Sequence, residues 1–222
     1  MKVTTDSCLF GAWVARQIAG TYPGIGRVLD IGTGTGLLSL MLAQKMNCHV
    51  TAIEIDENAF LQASENIRTS LWSQQIETIR ADIRSYCLPQ QYDVVISNPP
   101  FYEKELKAGS SKKNIAHHSH ELSLKDLPGA MVRLTRPGGK FYLLFPYKRH
   151  DEIMGLFKQK SIAVTKKILV RQTEEHDYFR FMIEGSIEKE TKTITGEISI
   201  CNKHNEYTPD FIKLLKDYYL YL

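Results

Sequence analysis

From residue 27 onward the apolar positions fall in short runs rich in β-branched residues, separated by stretches with helical spacing. "RVLDIG" reads as a strand, "LLSLMLAQKM" as a helix, "HVTAIEI" as a strand and "ENAFLQASENIRTSLW" as a helix; "IETIRADI" and "YDVVIS" read as two further strands. That alternation predicts right-handed crossovers and a parallel sheet with helices on both faces, a doubly wound α/β fold. Farther along, "SLKDLPGAMVRLT" reads as a helix, "GKFYLLFP" as a strand and "DEIMGLFKQK" as another helix. "SIAVTKKILV" and "YFRFMIEGSIEK" form a closing pair of strands, a hairpin with "RQTEEHD" between them. The segment before residue 21 is predicted as a helix laid against the sheet. "TPDFIKLLKDYYLYL" is predicted as a terminal helix, capped by Thr208 with Pro209 in its first turn. No stretch is long enough to serve as a linker, so residues 1–222 are expected to form one domain.

Composition narrows the class. With 222 residues and 43% hydrophobic content the chain can bury one substantial core. No apolar run approaches the roughly 18–20 residues needed to span a bilayer, and the opening "MKVTTDSCLFGAWVARQ" lacks the features of a signal peptide. A cytoplasmic protein without a membrane partner is therefore expected. Cys8, Cys48, Cys87 and Cys201 are scattered without a C-x-x-C pair, which suggests buried free thiols rather than disulfides or zinc. The formal charge of +3 permits an anionic partner without requiring one.

Two corners carry candidate chemistry. The first strand ends in "DIGTGTG", residues 30–36, with glycines at Gly32, Gly34 and Gly36. Such a loop permits a tight turn and close approach of a ligand, and the helix after it offers free N–H groups. A dinucleotide fingerprint would need its third glycine at position 37, which is Leu37. The next strand ends at Glu54, within the roughly 20-residue interval at which an acid takes the hydroxyls of an adenosine ribose. The second corner is "SNPPF", residues 97–101, at the end of an apolar strand. An asparagine, two prolines and an aromatic ring are poor core material, and the alternative of a proline-terminated strand with a buried aromatic leaves the upstream loop unexplained.

Together these stretches resemble the class I S-adenosylmethionine-dependent methyltransferases. The resemblance implies a Rossmann-like, seven-stranded sheet whose last strands form an antiparallel pair. It implies that Asp30 and the glycine loop hold the methionine part of the cofactor and Glu54 its ribose, with Asp82 accepting from the adenine amino group. Alternatives stand beside these roles: Asp30 ties down the turn, Asp82 caps one, and Asp56 reads as a helix cap. In the same superfamily N-P-P-[FYW] marks methylation of an amino nitrogen conjugated to a ring or carbonyl. The Asn98 side-chain oxygen and Pro99 carbonyl would accept its hydrogens, Pro100 would stiffen the backbone, and Phe101 would stack on a planar base.

Over nearly its full length the chain is similar to the bacterial tRNA1(Val) (adenine-37-N6)-methyltransferases. The likeness rests on "MKVTTDSCLFGAW", on "NPPFY" followed by a basic linker and "ELSL", and on "YTPDFIKLLKDYYL". It implies S-adenosylmethionine as cofactor and tRNA as substrate; ribosomal guanine-N2 and protein glutamine-N5 methylation remain as alternatives carried by the same motif. It also implies that residues 1–20 cover the cofactor, with Thr5 and Asp6 near its methionine end. The loop 103–120, "EKELKAGSSKKNIAHHSH", carries Lys104, Lys107, Lys112 and Lys113, suited either to tracking phosphates or to a solvated surface. His117, His118 and His120 lack the spacing of a zinc site, so no metal is expected. A monomer is the default oligomeric state.

Overall fold

The expected alternation of strand and helix appears in the computed structural model, which describes residues 3–21, 26–86, 91–99, 126–187 and 192–222. Helix α1 (Thr5–Thr21) precedes β1 (Arg27–Ile31), α2 (Leu37–Ala43), β2 (His49–Glu54), α3 (Glu57–Arg68), β3 (Ile76–Arg80) and β4 (Tyr92–Ser97). Then come α4 (Leu127–Leu134), β5 (Thr135–Pro146), a 3-10 turn (Tyr147–Arg149), α5 (His150–Gln159), β6 (Ala163–Arg171), β7 (Tyr178–Ser186), β8 (Ile194–Ser199) and α6 (Pro209–Leu215).

These strands form one sheet in the order β3-β2-β1-β4-β5-β7-β6-β8. Pairs β3–β2, β2–β1, β1–β4 and β4–β5 are parallel, whereas β7 runs antiparallel to both β5 and β6. The predicted closing hairpin is thus present. The sheet has eight strands rather than seven: β8 adds to β6 in parallel at the edge. In its "ITGEIS" three residues are exposed and three half-buried, so it lacks the buried apolar run that marks the inner strands.

Successive side chains of an inner strand feed opposite faces, as the period of two requires. Val28, Val94, Ile96, Tyr142 and Leu144 join the core under α1, α2, α3 and α6. Leu29, Val95, Phe141, Leu143 and Phe145 join the core under α4 and α5. Such two-faced burial is why the parallel strands read as continuous apolar runs. Helix α6 begins as the sequence predicts, with the Thr208 hydroxyl accepting from Phe211 N–H, but stops at Leu215 instead of running to the C-terminus. The chain then folds over α2, where the Tyr218 hydroxyl donates to the Met41 carbonyl and Lys45 pairs with Asp217. Cys8, Cys48 and Cys201 are buried free thiols; Cys87 lies outside the described residues.

Candidate active site

Parallel pairing brings the carboxyl ends of β1, β2, β3 and β4 to one edge, with Ile31 opposite Ile53 and Ser97, and Glu54 opposite Arg80. In open α/β sheets that edge is where ligands bind. The glycine turn leaves β1 there. Gly32 and Thr33 donate to the Ile53 carbonyl at 2.8 and 3.0 Å, and Gly36 donates to the Thr33 carbonyl at 3.0 Å. Gly32, Gly34 and Gly36 have φ of +67°, +62° and +80°, the left-handed region that glycine alone enters without strain. A Cβ on Gly32 would face open space; one on Gly36 would lie 3.2 Å from Ile67 Cδ1. The turn is therefore open toward a ligand and tight toward α3.

Asp30 lies beneath this turn and is fully buried. Its Oδ2 accepts from Thr33 Oγ1 at 2.6 Å and from Ser39 Oγ at 2.7 Å, while its buried Oδ1 has no partner among the described residues. Burial pushes the carboxyl up to about 6; the two hydroxyls pull the other way and the nearby Glu54 charge adds to the rise. Glu54, also buried, accepts from Gly34 N–H on Oε2 at 2.9 Å, and from Ile55 and Asp56 N–H on Oε1 at 2.9 and 3.0 Å. Three backbone donors thus fix its orientation at the turn. An unpaired buried carboxylate oxygen, open space above Gly32 and an oriented acid 20 residues past Gly34 fit a cofactor with a cationic amino-acid end and a ribose.

Asp56 is the cap of α3, its Oδ1 accepting from Ala59 N–H at 2.8 Å. Asp82 stands two residues beyond β3, on the same edge, and organises the turn that follows. Its carboxylate is gripped by the Arg84 guanidinium, and its carbonyl accepts from Ser85 and Tyr86 N–H.

The second corner is tied to the first. Ser97 Oγ, buried, donates to the Ile31 carbonyl at 2.7 Å, so the end of β4 is pinned to the residue before Gly32. Asn98 follows directly, and its Nδ2 donates to Ser7 Oγ at 2.9 Å. The first turn of α1 therefore lies against the asparagine. Neither Ser7 nor Ser97 was singled out by sequence: each is an ordinary serine whose partner is 91 or 66 residues away. Asp6 is turned to β7, where its Oδ2 accepts from Arg180 Nε at 2.7 Å. Thr5 lines a cavity of about 250 Å³ with Gln172, Ile200, Cys201, Asn205 and Tyr207. Pro99 is buried. Pro100 and Phe101, together with Lys104, Lys107, Lys112, Lys113 and the histidines of the 103–120 loop, lie outside the described residues. Among the described residues no group of three or more His, Cys, Asp or Glu side chains is placed to share a metal ion, and no helix is long and apolar enough to cross a membrane.

Sheet order, glycine turn and acidic strand end define a class I methyltransferase. Residues 18–126 match the family described as methyltransferase small domain. A tRNA1(Val) (adenine(37)-N6)-methyltransferase of Dyadobacter fermentans is 36% identical over 99% of this chain and 91% of its own length. The chain belongs to that family of tRNA1(Val) (adenine(37)-N6)-methyltransferases. Among solved structures, a predicted O-methyltransferase of Agrobacterium tumefaciens superposes with a TM-score of 0.71 at 16% identity, covering 94% of this chain and 95% of the other. A glycopeptide N-methyltransferase complexed with S-adenosylmethionine gives a TM-score of 0.55 at 12% identity over 80% of this chain and 94% of the other. At such identities these two likenesses speak for the fold.

Proposed function

We propose that this chain methylates the exocyclic N6 of an adenosine in tRNA, adenosine 37 of valine tRNA, with S-adenosylmethionine as donor. The observation that carries the chemistry is the Ser97–Ile31 tie, which sets Asn98 beside the glycine turn and Glu54. The choice of substrate is supported by the relatives that match from end to end. Localisation in the cytoplasm and a fold of one domain go with this reading.

When bound, the cofactor supplies an electrophilic methyl group on a sulfonium sulfur. Asp30 and the turn at Gly32, Gly34 and Gly36 hold its methionine part, Glu54 its ribose, and Asp82, by its place past β3, borders the adenine. Residues 1–20 cover that site, with Asp6 held in place by Arg180. The nitrogen to be methylated is a weak nucleophile because its lone pair is delocalised into the ring. Asn98 Oδ1 and the Pro99 carbonyl each accept one N–H, which favours a pyramidal nitrogen and aims its lone pair. No base is needed before transfer, since the cationic product loses its proton readily. Phe101 provides the stacking face and Pro100 the backbone stiffness, and the base leaves its stack to reach them. Lys104, Lys107, Lys112 and Lys113 meet the phosphates on either side.

The test is methyl transfer from radiolabelled S-adenosylmethionine to tRNA, ribosomal RNA and protein fractions, followed by nuclease digestion and mass spectrometry. N6-methyladenosine in tRNA is the expected product. Label in guanine of ribosomal RNA, or in release factor, would overturn the substrate. Asn98→Ala should lower kcat by about 100-fold or more, the scale of one preorganised hydrogen bond to a transition state, with cofactor affinity kept within a few-fold. Near-normal turnover would remove Asn98 from the mechanism.

A further inference from the structure

A primary amide is nearly symmetric in shape and opposite in function at its two ends, so an asparagine that must accept from a substrate N–H has to be held against a half-turn about χ2. Turned over, Asn98 would point its own N–H at the substrate amine, donor against donor. In this structure Nδ2 donates to Ser7 Oγ at 2.9 Å, and no described residue donates to Oδ1. A serine hydroxyl both donates and accepts, so it selects an orientation only if its own proton is engaged elsewhere. Thr4 Oγ1 lies 2.8 Å from Ser7 Oγ, within reach to accept that proton. With Thr4 accepting, the chain Asn98 Nδ2–H to Ser7 Oγ–H to Thr4 Oγ1 runs in one direction.

We infer that Ser7 is a positioning residue for methyl transfer: by accepting from Nδ2 it turns the Asn98 carbonyl oxygen toward the amine, and α1 thereby completes the second corner of the site. This rests on the function proposed above and adds a residue to it. The scaffold around the pair is suited to the task. Ser97 is tied to Ile31, so the backbone entering Asn98 is fixed on one side. Asp6, the neighbour of Ser7, is paired with Arg180 on β7, which fixes the first turn of α1 on the other. Between two anchored backbones the amide keeps χ1 and χ2, and the bond to Ser7 selects between the two ends of the χ2 half-turn.

The experiment compares the native chain with Ser7→Ala, Ser7→Thr and Thr4→Val, measuring kcat and KM for tRNA and cofactor affinity by calorimetry, with circular dichroism to establish that each is folded. Ser7→Ala should lower kcat by about three- to tenfold, the usual worth of a single neutral hydrogen bond, with KM and cofactor affinity within twofold. Ser7→Thr, which keeps the hydroxyl, should restore kcat; Thr4→Val, which frees the Ser7 proton, should fall between. A kcat for folded Ser7→Ala within twofold of native would overturn the inference. So would a loss shared equally by KM or cofactor affinity, or a Ser7→Thr variant as slow as Ser7→Ala, since either outcome marks a structural role. Failure of the underlying function is read separately: it is the native enzyme yielding no N6-methyladenosine.

Discussion

Asp30 holds a carboxyl where water does not reach, with one oxygen satisfied by Thr33 and Ser39 and the other bare. Burial raises its pKa from the ordinary carboxylate range to about 6, so the folded protein takes up a proton between roughly pH 4 and 6 that the unfolded chain does not. The stability lent by the protonated carboxyl is fully present below that window and is lost as pH rises through about 6. Asp30→Asn should therefore gain stability relative to the native chain on going from pH 5 to pH 8, as read by urea midpoints of the cofactor-free proteins. A gap that does not move with pH would show that Asp30 does not titrate there. Cofactor affinity should behave oppositely. In the proposed binding mode the ionised carboxylate faces a cationic ligand, so native affinity should fall as pH drops through 6, and calorimetry of Asp30→Asn should lack that slope. Glu54 and Asp56 are two residues apart and do different work, one facing the glycine turn and one capping α3. Asp56→Ala should cost about 1 kcal/mol of stability, as lost caps do, and leave cofactor affinity within twofold. Glu54→Ala should weaken the cofactor at least about tenfold, as loss of a charge-assisted hydrogen bond does; unchanged affinity would remove it from the ribose.

At the scale of elements, the parallel half of the sheet was legible because each inner strand buries both faces and so reads as an unbroken apolar run. Helix α3 and the start of α6 were legible through Asp56 and Thr208, whose side chains accept from N–H groups within three residues. These signals are local, and local chemistry survives translation from sequence to structure. β8 was not legible, because this edge strand fully buries none of its residues and carries no continuous apolar run. The end of α6 was misjudged for the opposite reason: the aromatic residues after Leu215 continue the apolar pattern, yet Tyr218 is drawn to the Met41 carbonyl on α2. The junction between the two halves of the sheet offers a test of pairing. Phe141 on β5 stands opposite Gly185 on β7, and a Cβ on Gly185 would lie 1.9 Å from Phe141 Cζ. Gly185→Ala should destabilise by about 1–3 kcal/mol through overpacking, and combination with Phe141→Leu should cost less than the sum of the two. Additive losses in urea unfolding would mean that the ring moves aside freely.

Across the whole molecule, the proposed function depends on two strand ends meeting at one edge and on the first turn of α1 lying against Asn98. Sequence alone determined the candidate chemistry: a G-x-G-x-G turn, an acid at the end of the next strand, and an asparagine with prolines after a buried strand. Each lies within a few residues of the element that presents it, and a few residues suffice to encode backbone conformation and burial. Only the tertiary structure decided that Ser97 ties to Ile31, that Ser7 reaches Asn98 across 91 positions and that Asp6 pairs with Arg180 across 174. The partner of a side chain so far along the chain follows from sheet order and register. A period of two states which face a residue takes and leaves open which strand will lie beside it.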